Sequence, residues 1–361
     1  MSGIHHFVPV LHRGDAVGRH TMRLRDATRA RGYHSEIFVD TVDPDTAADT
    51  VPVLSYAGEA QAGDVAVYQF ATASAMAPWL AGRAETLVVN YHNVTPPELM
   101  APWDNHLALG QLRAQGDLRL LAPRTALAVA DSAYNEAHLA AAGFAATAVI
   151  SPSAALDATV AGHAGRPAHA PPHRGTHWLA VGRVSPNKAL ESTIAALAVA
   201  RAHGDGEAWL EVIGKPATDS YVTALHRYVA ELGLADVVQF AGHAEDATVE
   251  AAYATADVLV VTSEHEGFCV PVVEAMAAGV PVVAFDAGAV PEVLGGAGVL
   301  VSGKDAYALA AAITALLRDA PRRDRAVAAG RERLSALRLE TAADRFVDLL
   351  VPLAGVAATS P

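Results

Sequence analysis

Residues 263–276 read Ser263-Glu264-His265-Glu266-Gly267-Phe268-Cys269-Val270-Pro271-Val272-Val273-Glu274-Ala275-Met276. The valine-rich segment Ala256–Val261 precedes them and is typical of a strand buried in a parallel sheet. Pro271 suits the first turn of a helix, because the N–H that proline lacks would be unpaired there, and Gly279 followed by Pro281 ends that helix. The pattern predicts a strand, a loop at its carboxyl end and a helix N-terminus, which is where open α/β sheets bind ligands.

Two carboxylates flank this helix start, Glu266 in the loop and Glu274 in the helix. Free N–H groups near residues 269–272 would favour an anion or the oxygens of a sugar. The pattern therefore indicates a site for a polar, hydroxyl-rich ligand. Two acids beside a helix start can also act as electrostatic helix stabilisers, and that alternative is open at this point.

A second loop carries two cations and reads Val181-Gly182-Arg183-Val184-Ser185-Pro186-Asn187-Lys188. It follows the apolar segment His177–Val181, and we expect Asn187 to cap the next helix. Arg183 supplies a forked donor and Lys188 a point charge, a combination that suits a diphosphate beside helix N–H groups. The alternative is an arginine and a lysine on an ordinary surface loop.

The composition is that of a globular protein of two domains, with 361 residues of which 52% are hydrophobic and 18% charged. The net charge of −13, without a basic stripe, argues against a nucleic-acid partner. We expect no signal peptide and no transmembrane helix, since Ile4–Leu11 lacks a basic start and no run of 18 apolar residues exists.

The single cysteine, Cys269, excludes an internal disulfide and fits a reducing cytoplasm. Its position near a helix start could lower the pKa of the thiol and make it reactive. The plainer alternative is a small apolar side chain.

Strand and helix patterns alternate along both halves of the chain, which favours parallel sheets covered by helices on both faces. We predict a Rossmann-like domain at 1–160, a linker at 161–176, a second Rossmann-like domain at 177–338, and a C-terminal helix and tail at 339–361 that could pack back on the first domain. The predicted strands are Ile4–Val10, Ser35–Val39, Asp64–Phe70, Thr86–Tyr91, Ala126–Ala130 and Thr147–Ile150, then His177–Val181, Trp209–Ile213, Val237–Ala241, Ala256–Val261, Val280–Phe285 and Gly298–Val301. The first and last predicted helices are Arg19–Ala30 and Glu340–Leu353.

Taken together, these motifs resemble those of the retaining, bacterial glycosyltransferases of family 4 (glycosyl transferases group 1). The family signature of two glutamates separated by seven residues falls on Glu266 and Glu274. Further matching segments are Gly182-Arg183…Lys188, Gly279-Val280-Pro281-Val282-Val283, Pro291-Glu292, Gly14-Asp15-Ala16-Val17-Gly18, Tyr91-His92-Asn93-Val94-Thr95-Pro96 and Asp131-Ser132-Ala133-Tyr134-Asn135. Cys269 departs from the family, which usually has glycine there, and its Cβ could narrow the donor pocket.

The resemblance implies an α/β fold of the GT-B type, with two Rossmann-like domains facing each other across a cleft. It implies that the N-terminal domain at 1–160 binds the acceptor and that the C-terminal domain at 177–338 binds the nucleotide sugar. It implies that Arg183 and Lys188 neutralise the departing diphosphate, that Glu266 binds the transferred sugar and that Glu274 holds the ribose. His92 would face the sugar from the first domain. The implied catalytic residues are His92, Arg183, Lys188 and Glu266, and the implied donor-binding residues are Gly14, Asp15, Gly18, Gly182, Arg183, Lys188, Glu266, Gly267, Phe268, Cys269, Val270 and Glu274.

The implied activity is retaining transfer of a hexose-type sugar from a nucleoside diphosphate sugar, with UDP or GDP as the expected nucleotide, to a hydroxyl of a saccharide, glycolipid or natural product. It needs no cofactor and no metal. A nucleotide-sugar epimerase, a phosphorylase and a non-catalytic sugar-nucleotide-binding subunit are alternatives on the same scaffold, and a homodimer is open. We expect a cytoplasmic protein with at most peripheral membrane contact, through the arginines of residues 19–31 or the leucines and arginines of 107–121. The alternative for both segments is a solvated helix face.

Overall fold

The computed structural model describes residues 2–61, 63–153 and 175–355. The chain divides into two compact units, Met1–Pro97 with Leu109–Ala155 and Arg338–Pro361, and Glu98–Ala108 with Leu156–Leu337. Each unit has its own parallel sheet, so the expected pair of Rossmann-like α/β domains is confirmed. The linker expected at 161–176 lies outside the described residues, except for its last two.

Seven strands form the sheet of the first unit, in the order β3-β2-β1-β4-β5-β6-β7. They are β1 (Ile4–Val10), β2 (Ile37–Thr41), β3 (Val51–Pro52), β4 (Val65–Phe70), β5 (Thr86–Tyr91), β6 (Thr125–Ala130) and β7 (Thr147–Val149). All residues of β4 and β5 are buried, as their apolar runs predict. The strand order reverses direction between β1 and β4, which is the switch point where such sheets form a crevice.

Helices follow these strands along the chain. They are α1 (Ala16–Ala30), α2 (Val53–Glu59), α3 (Met76–Ala81), α4 (Pro97–Met100), α5 (Asn105–Leu121) and α6 (Ala133–Ala142). Two of them begin at a capping side chain, Asp15 before α1 and Ser132 before α6. The predicted start of α1 at Arg19 is wrong: the helix begins at Ala16, because the Asp15 carboxylate accepts a hydrogen bond from the Gly18 N–H at 2.6 Å. The short helices α2 and α3 were not predicted, since neither is long enough to show a helical period.

Six parallel strands form the second sheet, in the order β10-β9-β8-β11-β12-β13. The strands are β8 (His177–Val181), β9 (Trp209–Ile213), β10 (Val238–Gly242), β11 (Val258–Val261), β12 (Val282–Phe285) and β13 (Val299–Val301). Within this sheet the order is 3-2-1-4-5-6, that of a dinucleotide-binding Rossmann fold. Its switch point lies between β8 and β11.

The helices of the second unit are α7 (Leu190–His203), α8 (Asp219–Glu231), α9 (Asp246–Thr255), α10 (Val270–Ala278), α11 (Val290–Leu294), α12 (Ala306–Arg318) and α13 (Ala320–Leu337). Residues 98–108 also belong to this unit, although they lie inside the first predicted domain. The Trp103 ring meets the Tyr221 ring edge-on at 4.9 Å, and the Ser220 hydroxyl donates to the Trp103 carbonyl at 2.6 Å. These contacts hold the segment on α8.

The chain returns to the first unit at its C-terminal end through α14 (Ala342–Leu350). Phe346 and Leu350 are fully buried in one apolar cluster with Ile4 and Leu24. Arg31 at the end of α1 pairs with Asp348 at 2.6 Å. The predicted last helix Glu340–Leu353 is shorter than expected, because single 3-10 turns flank α14 on both sides. Among the described residues, no helix has both the length and the hydropathy needed to cross a bilayer.

Candidate functional site

Two predicted loops meet at the switch point of the second sheet. The phosphate loop is residues 182–188, which carry Arg183 and Lys188, and the sugar loop is residues 263–270, which carry Glu266. Gly182 and Arg183 directly follow β8, and Thr262 and Ser263 directly follow β11. The two strands are paired and parallel, so their carboxyl ends lie side by side. One cavity there has in its lining Gly182, Arg183, Lys188, Ser263, Glu266 and Cys269.

A close approach of two backbone turns shapes the phosphate loop. Gly182 has φ 134° and Gly214, after β9, has φ 156°. A Cβ on Gly214 would lie 1.8 Å from the Gly182 carbonyl oxygen, so only glycine fits at 214. The Val184 N–H donates to the Lys215 carbonyl at 2.9 Å and closes the pair of turns. Backbone contacts thus fix the start of the loop, where the Arg183 side chain is exposed.

The predicted role of Asn187 as a helix cap is wrong. The helix α7 begins at Leu190 after Ala189, which takes a left-handed conformation, and the Leu190 N–H is satisfied by the Tyr221 hydroxyl at 2.9 Å. Asn187 instead accepts from the Ser185 hydroxyl at 2.6 Å and donates to the His265 carbonyl at 3.2 Å. Its amide therefore ties the phosphate loop to the sugar loop.

Lys188 and Glu266 form an ion pair with a separation of 2.5 Å between Nζ and Oε1. The Ser263 hydroxyl donates to the same carboxylate oxygen at 2.6 Å. Burial is the largest single effect and lowers the pKa of Lys188, but the charge of Glu266, its hydrogen bond and the other nearby groups together raise that pKa above its ordinary value. Lys188 is therefore a cation in the folded protein, and it lies next to the Glu266 carboxylate.

The helix α10 starts as the sequence predicts, with Pro271 in its first turn and Gly279 as a left-handed cap at its end. Cys269 is the residue before it and takes the left-handed conformation, with φ 77°. Burial, followed by the charge of Glu266, raises the pKa of the Cys269 thiol. The lowered pKa that the sequence suggested is therefore wrong, because the thiol is 5% exposed and lacks the solvation that a thiolate needs.

Glu274 lies in the second turn of α10 and is held by a partner that the sequence did not reveal. The Tyr253 hydroxyl on α9 donates to the Glu274 carboxylate at 2.8 Å. Tyr253 is buried, and burial followed by the charge of Glu274 raises the pKa of its hydroxyl well above the usual value. The tyrosine is therefore a fixed donor that orients the carboxylate. No local pattern identifies it, because the two residues meet only when α9 and α10 pack.

Gly14 and Asp15 lie in the turn between β1 and α1 of the first unit, and Gly18 lies in the first turn of α1. Asp15 is the cap of α1, so its carboxylate already accepts a hydrogen bond from an N–H group of that helix start. A Cβ on Gly18 would lie 1.8 Å from the His12 carbonyl oxygen, so the chain passes too closely there for any side chain. The glycine at 18 therefore has a packing reason that is independent of any ligand.

His92 follows β5 and is enclosed by two side chains of neighbouring strands. Its Nδ1 lies 2.9 Å from Asp131 Oδ2, and its Nε2 lies 2.8 Å from Gln69 Oε1. The side chain is 5% exposed. Both ring nitrogens are thus engaged inside the first unit.

These contacts belong to a buried polar layer, defined here as His6, His20, Gln69, Asn90, His92 and Asp131. On one face of the first sheet, a buried apolar residue is followed two positions later by a buried polar one in β1, β4 and β5 and at the end of β6: Ile4 by His6, Val67 by Gln69, Val88 by Asn90, and Val129 by Asp131. The Asn90 amide lies 2.9 Å from both Gln69 Oε1 and His20 Nε2. Sequence reasoning singled out only His92, although the alternation in four strands carries the signal.

The polar layer leaves acceptors without partners. Asn90 Oδ1 and Asp131 Oδ1 are buried and make no hydrogen bond within the described part of the chain. Such atoms destabilise a fold by about 1–3 kcal/mol each. Across the residues that the structure describes, no three His, Cys, Asp or Glu side chains are grouped so as to hold a metal ion.

Comparison with known proteins identifies the second unit. Residues 165–333 match the family model of glycosyl transferases group 1, which is just under half of the chain. The second unit carries a glycosyl transferases group 1 domain. All of Gly182, Arg183, Lys188, Glu266 and Glu274 fall within that domain, whereas His92 and the turn at residues 14–18 lie outside the matched range.

Relatives of the group 1 domain include two mycobacterial mannosyltransferases. The chain is 39% identical over 128 residues to MMP alpha-(1->4)-mannosyltransferase of Mycolicibacterium hassiacum, which is 35% of this chain and 30% of that protein. It is 36% identical over 168 residues to GDP-mannose-dependent alpha-(1-6)-phosphatidylinositol monomannoside mannosyltransferase of Mycobacterium tuberculosis, which is 43% of this chain and 42% of that protein. The matches therefore span less than half the length of these relatives.

Solved structures cover both units. Sucrose-phosphate synthase from Thermosynechococcus elongatus aligns with 98% of this chain and 99% of its own, at a TM-score of 0.75 and 21% sequence identity. At that identity the likeness concerns the fold, which is the GT-B type of two Rossmann-like domains. The group 1 domain thus occupies the second half of a complete GT-B fold.

Proposed function

We propose that the protein is a retaining glycosyltransferase that moves a hexose from a nucleoside diphosphate sugar to a hydroxyl group of an acceptor. The observation that carries the proposal is the Lys188–Glu266 ion pair at the switch point of the second sheet, with Ser263 on the same carboxylate. The pair sets a cation and an acceptor of sugar hydroxyls 2.5 Å apart, and the exposed Arg183 lines the same cavity. A nucleoside diphosphate sugar carries both partners in one molecule.

The diphosphate is the leaving group, and negative charge grows on it as the sugar departs. Lys188 and Arg183 would neutralise that charge. Charged groups that are in place before the reaction stabilise the transition state without having to reorganise. The phosphate would compete with Glu266 for Lys188. Binding of the donor would therefore release Glu266 to accept hydrogen bonds from the sugar.

Glu274 is suited to the ribose. A carboxylate can accept from two vicinal hydroxyls, and the Tyr253 donor keeps this one in a single orientation. Glu274 lies on α10, the helix that directly follows the loop carrying Glu266. The two glutamates of the signature would thus hold the two ends of the donor, one on the sugar and one on the nucleoside.

We retain His92 as a residue that faces the transferred sugar, with one restriction on its chemistry. Both ring nitrogens already face protein groups at less than 3 Å, so the ring does not take the acceptor proton unless Gln69 moves away. The proposal therefore assigns the proton to an oxygen of the leaving phosphate, through attack on the same face of the sugar. That assignment is consistent with retention of configuration.

The donor that we propose first is GDP-mannose, because the two relatives described above are mannosyltransferases and one is named for GDP-mannose. A UDP-sugar is the second choice. The proposal includes no cofactor and no metal, since Arg183 and Lys188 supply the positive charge that a divalent cation would otherwise bring to the diphosphate. The acceptor is a hydroxylated saccharide, glycolipid or natural product, and the single cysteine is consistent with the cytoplasm.

The chain offers a matched pair of lysines for the test. Lys188 pairs with Glu266, and Lys304, one of only three lysines in the chain, pairs with Glu264. Thermal shifts with UDP-, GDP-, ADP- and dTDP-sugars, in the presence of EDTA, should show stabilisation by one donor class. We expect Lys188→Met to abolish the shift and to lower transfer by roughly 100-fold or more, while Lys304→Met behaves as the wild type.

Four outcomes would count against the proposal. Equal effects of the two lysine substitutions would remove the role of the Lys188–Glu266 pair. Binding of donor without transfer or hydrolysis would favour a non-catalytic sugar-nucleotide-binding subunit, and conversion of donor without an acceptor would favour an epimerase. A loss of activity in EDTA that Mn²⁺ restores would refute metal independence.

A further inference from the structure

A cavity of about 350 Å³ lies in the first unit, at the amino-terminal edge of its sheet. Gly3 directly precedes β1 and Asp64 directly precedes β4, and these two strands are paired and parallel. The loops that we assign to the donor follow the carboxyl ends of strands in the second unit instead. We call this space the amino-edge cavity, and its walls include His5, His34, Phe38, Tyr56, Gln61 and Asp64. Its volume is sufficient for a small organic molecule.

Aromatic rings form much of the wall of the amino-edge cavity. The His5 ring meets the rings of His34, Phe38 and Tyr56 edge-on, at centroid distances of 5.2 to 5.5 Å. Gly3 leaves room for the His5 ring, because a Cβ at residue 3 would lie 2.1 Å from His5 Nε2. Aromatic rings attract cations through the partial negative charge of their faces. The wall is therefore suited to a positively charged group with an apolar body.

Asp64 brings a negative charge to the cavity without a cationic partner. Its side chain is 2% exposed, and its two oxygens accept from the Gly3 N–H at 2.6 Å and from the Gln61 N–H at 2.7 Å. Within the described part of the chain, no lysine or arginine pairs with it, and His5 Nε2 lies 4.0 Å away. Burial lowers the pKa of His5 to about 4, so that ring is neutral at pH 7. Aspartates this deeply buried are rarely left unpaired.

A buried hydroxyl in the same wall also lacks a partner. Tyr56 is 1% exposed, and its hydroxyl oxygen makes no hydrogen bond to any residue that the structure describes. Arg83 lies over the Tyr56 ring, 4.9 Å from its centroid, but its guanidinium donates to Glu85 at 2.6 Å. The charge of Arg83 is therefore balanced by Glu85 and not by Asp64. An unpaired buried hydroxyl destabilises the fold, and a ligand that bonds to it would remove that penalty.

We propose that the amino-edge cavity binds a small organic cation, a protonated amine on an apolar body. The ammonium group would lie against the Asp64 carboxylate and donate to the Tyr56 hydroxyl, and the apolar body would contact the aromatic rings. A neutral ligand would leave the carboxylate without a counter-charge, and an anion would be repelled by it. A metal ion does not suit the cavity, since none of the described residues group three His, Cys, Asp or Glu side chains for one.

The test uses the whole chain without donor, so that its outcome is independent of sugar transfer. The probe is phenethylamine, which is protonated at pH 7, and its neutral counterpart of the same shape is 2-phenylethanol. Saturation-transfer NMR gives the dissociation constant of each compound. We expect the amine to bind more tightly than the alcohol by roughly tenfold or more, since only the amine carries a charge for the carboxylate and the rings.

Two variants place the amine in the cavity. Tyr56→Phe removes the unpaired hydroxyl and should weaken amine binding by roughly fivefold, without lowering the thermal stability of the protein. His34→Lys adds a like charge at an exposed position of the wall and should weaken amine binding by roughly tenfold, while binding of the alcohol stays the same.

The control variants carry the same substitutions at other positions. Tyr68→Phe alters another fully buried tyrosine of the first unit, and His203→Lys alters an exposed histidine on α7 of the second unit. Both should bind the amine as the wild type does.

Four results would overturn the proposal. They are the absence of saturable amine binding, amine binding that neither Tyr56→Phe nor His34→Lys weakens, equal losses in the control variants, and binding of the alcohol as tight as that of the amine. The last result would mean that the cavity takes an uncharged ligand and that Asp64 serves only to fix the adjacent backbone.

Discussion

At the scale of one residue, Glu266 has a partner in the fold that its sequence motif does not reveal. The sequence indicates a carboxylate for sugar hydroxyls and a lysine for phosphate as two separate groups. In the fold they touch, with Lys188 Nζ 2.5 Å from Glu266 Oε1. A buried charge without its partner would be strongly destabilising, so each group supports the other until a ligand replaces the contact. The free site is therefore already paired and compact.

The Cys269 thiol gives a prediction about reactivity. Because burial raises its pKa, the fraction of thiolate in the folded protein is very small at neutral pH. We expect a disulfide reagent such as DTNB to label the folded protein only slowly at pH 8, at the rate of local opening, and to label it at once in guanidinium chloride.

The same shift has a consequence for stability. The unfolded thiol ionises near its ordinary pKa of about 8.5 while the folded thiol does not, so the free energy of unfolding should fall as the pH rises above that value. Cys269→Ser provides the unlabelled control and should lose this dependence on pH. Fast labelling of the folded protein would show that the thiol is accessible and that its assigned burial is wrong.

At the scale of elements, the glycines after β8 and β9 determine how closely two turns approach. Gly214→Ala would place a Cβ 1.8 Å from the Gly182 carbonyl oxygen, and the turn that carries Arg183 would have to move. We expect a loss of donor binding together with a loss of stability of roughly 2 kcal/mol or more. Thermal melts with and without donor measure both effects.

Gly233→Ala is the matched control for that substitution. Gly233 also has a positive φ, of 68°, but a Cβ there would meet nothing within 4 Å. We expect it to destabilise the fold by only about 1 kcal/mol and to leave donor binding intact. If both variants bind donor equally well, the close approach of the two turns does not shape the site.

The buried polar layer should make the first unit sensitive to acid. Burial lowers the pKa of His6 from 6.5 to about 3 and lowers that of His20 well below its ordinary value. Both are neutral in the folded unit but become protonated in the unfolded chain below pH 6.5. The free energy of unfolding should therefore fall as the pH drops below 6.5, by roughly 1.4 kcal/mol per pH unit for each histidine.

Limited proteolysis in increasing urea at pH 7 and pH 5, with fragments assigned by mass spectrometry, reports the first unit separately from the second. His20→Gln, which keeps a polar side chain beside Asn90, should reduce the loss between the two pH values. His203→Gln, at an exposed position on α7, should leave it unchanged. Equal pH dependence in both variants would mean that His20 is already solvated in the folded state.

At the scale of the whole molecule, the end of the chain completes the unit in which the chain begins. Phe346 on α14 is fully buried with Ile4 of β1, although the two lie at opposite ends of the sequence. We expect Phe346→Ala to destabilise the first unit by about 3–5 kcal/mol, because it leaves a cavity in a packed cluster. Calorimetry should show a shift in one of two unfolding transitions.

Tyr307→Ala is the control for that prediction. Tyr307 is also a large side chain but is 64% exposed in the second unit, so its truncation should change the free energy of unfolding by less than about 0.5 kcal/mol. If Phe346→Ala shifts neither transition, α14 does not contribute to the folding of the first unit.

The sequence by itself determined the fold class and half of the candidate site. The strands, the helix start at Pro271 and its end at Gly279 follow from rules that act over a few residues, and the structure agrees with them. The sequence also singled out Glu266 and Glu274, whose binding roles are part of the proposed function. The short elements α2 and α3 and the cap of α7 were missed, because a few residues cannot show a period and the N–H of Leu190 is satisfied by Tyr221 from another helix.

Only the tertiary structure decided which of these groups act on one another. Lys188 meets Glu266 across 78 residues of sequence, Tyr253 holds Glu274 from a neighbouring helix, and the Asn90 amide meets the His20 ring of α1. The packing of whole elements brings such groups together, and local pattern does not record it. The sequence therefore indicates the chemistry of each side chain. The fold determines which partner that side chain meets, and the partner in turn determines its charge and orientation.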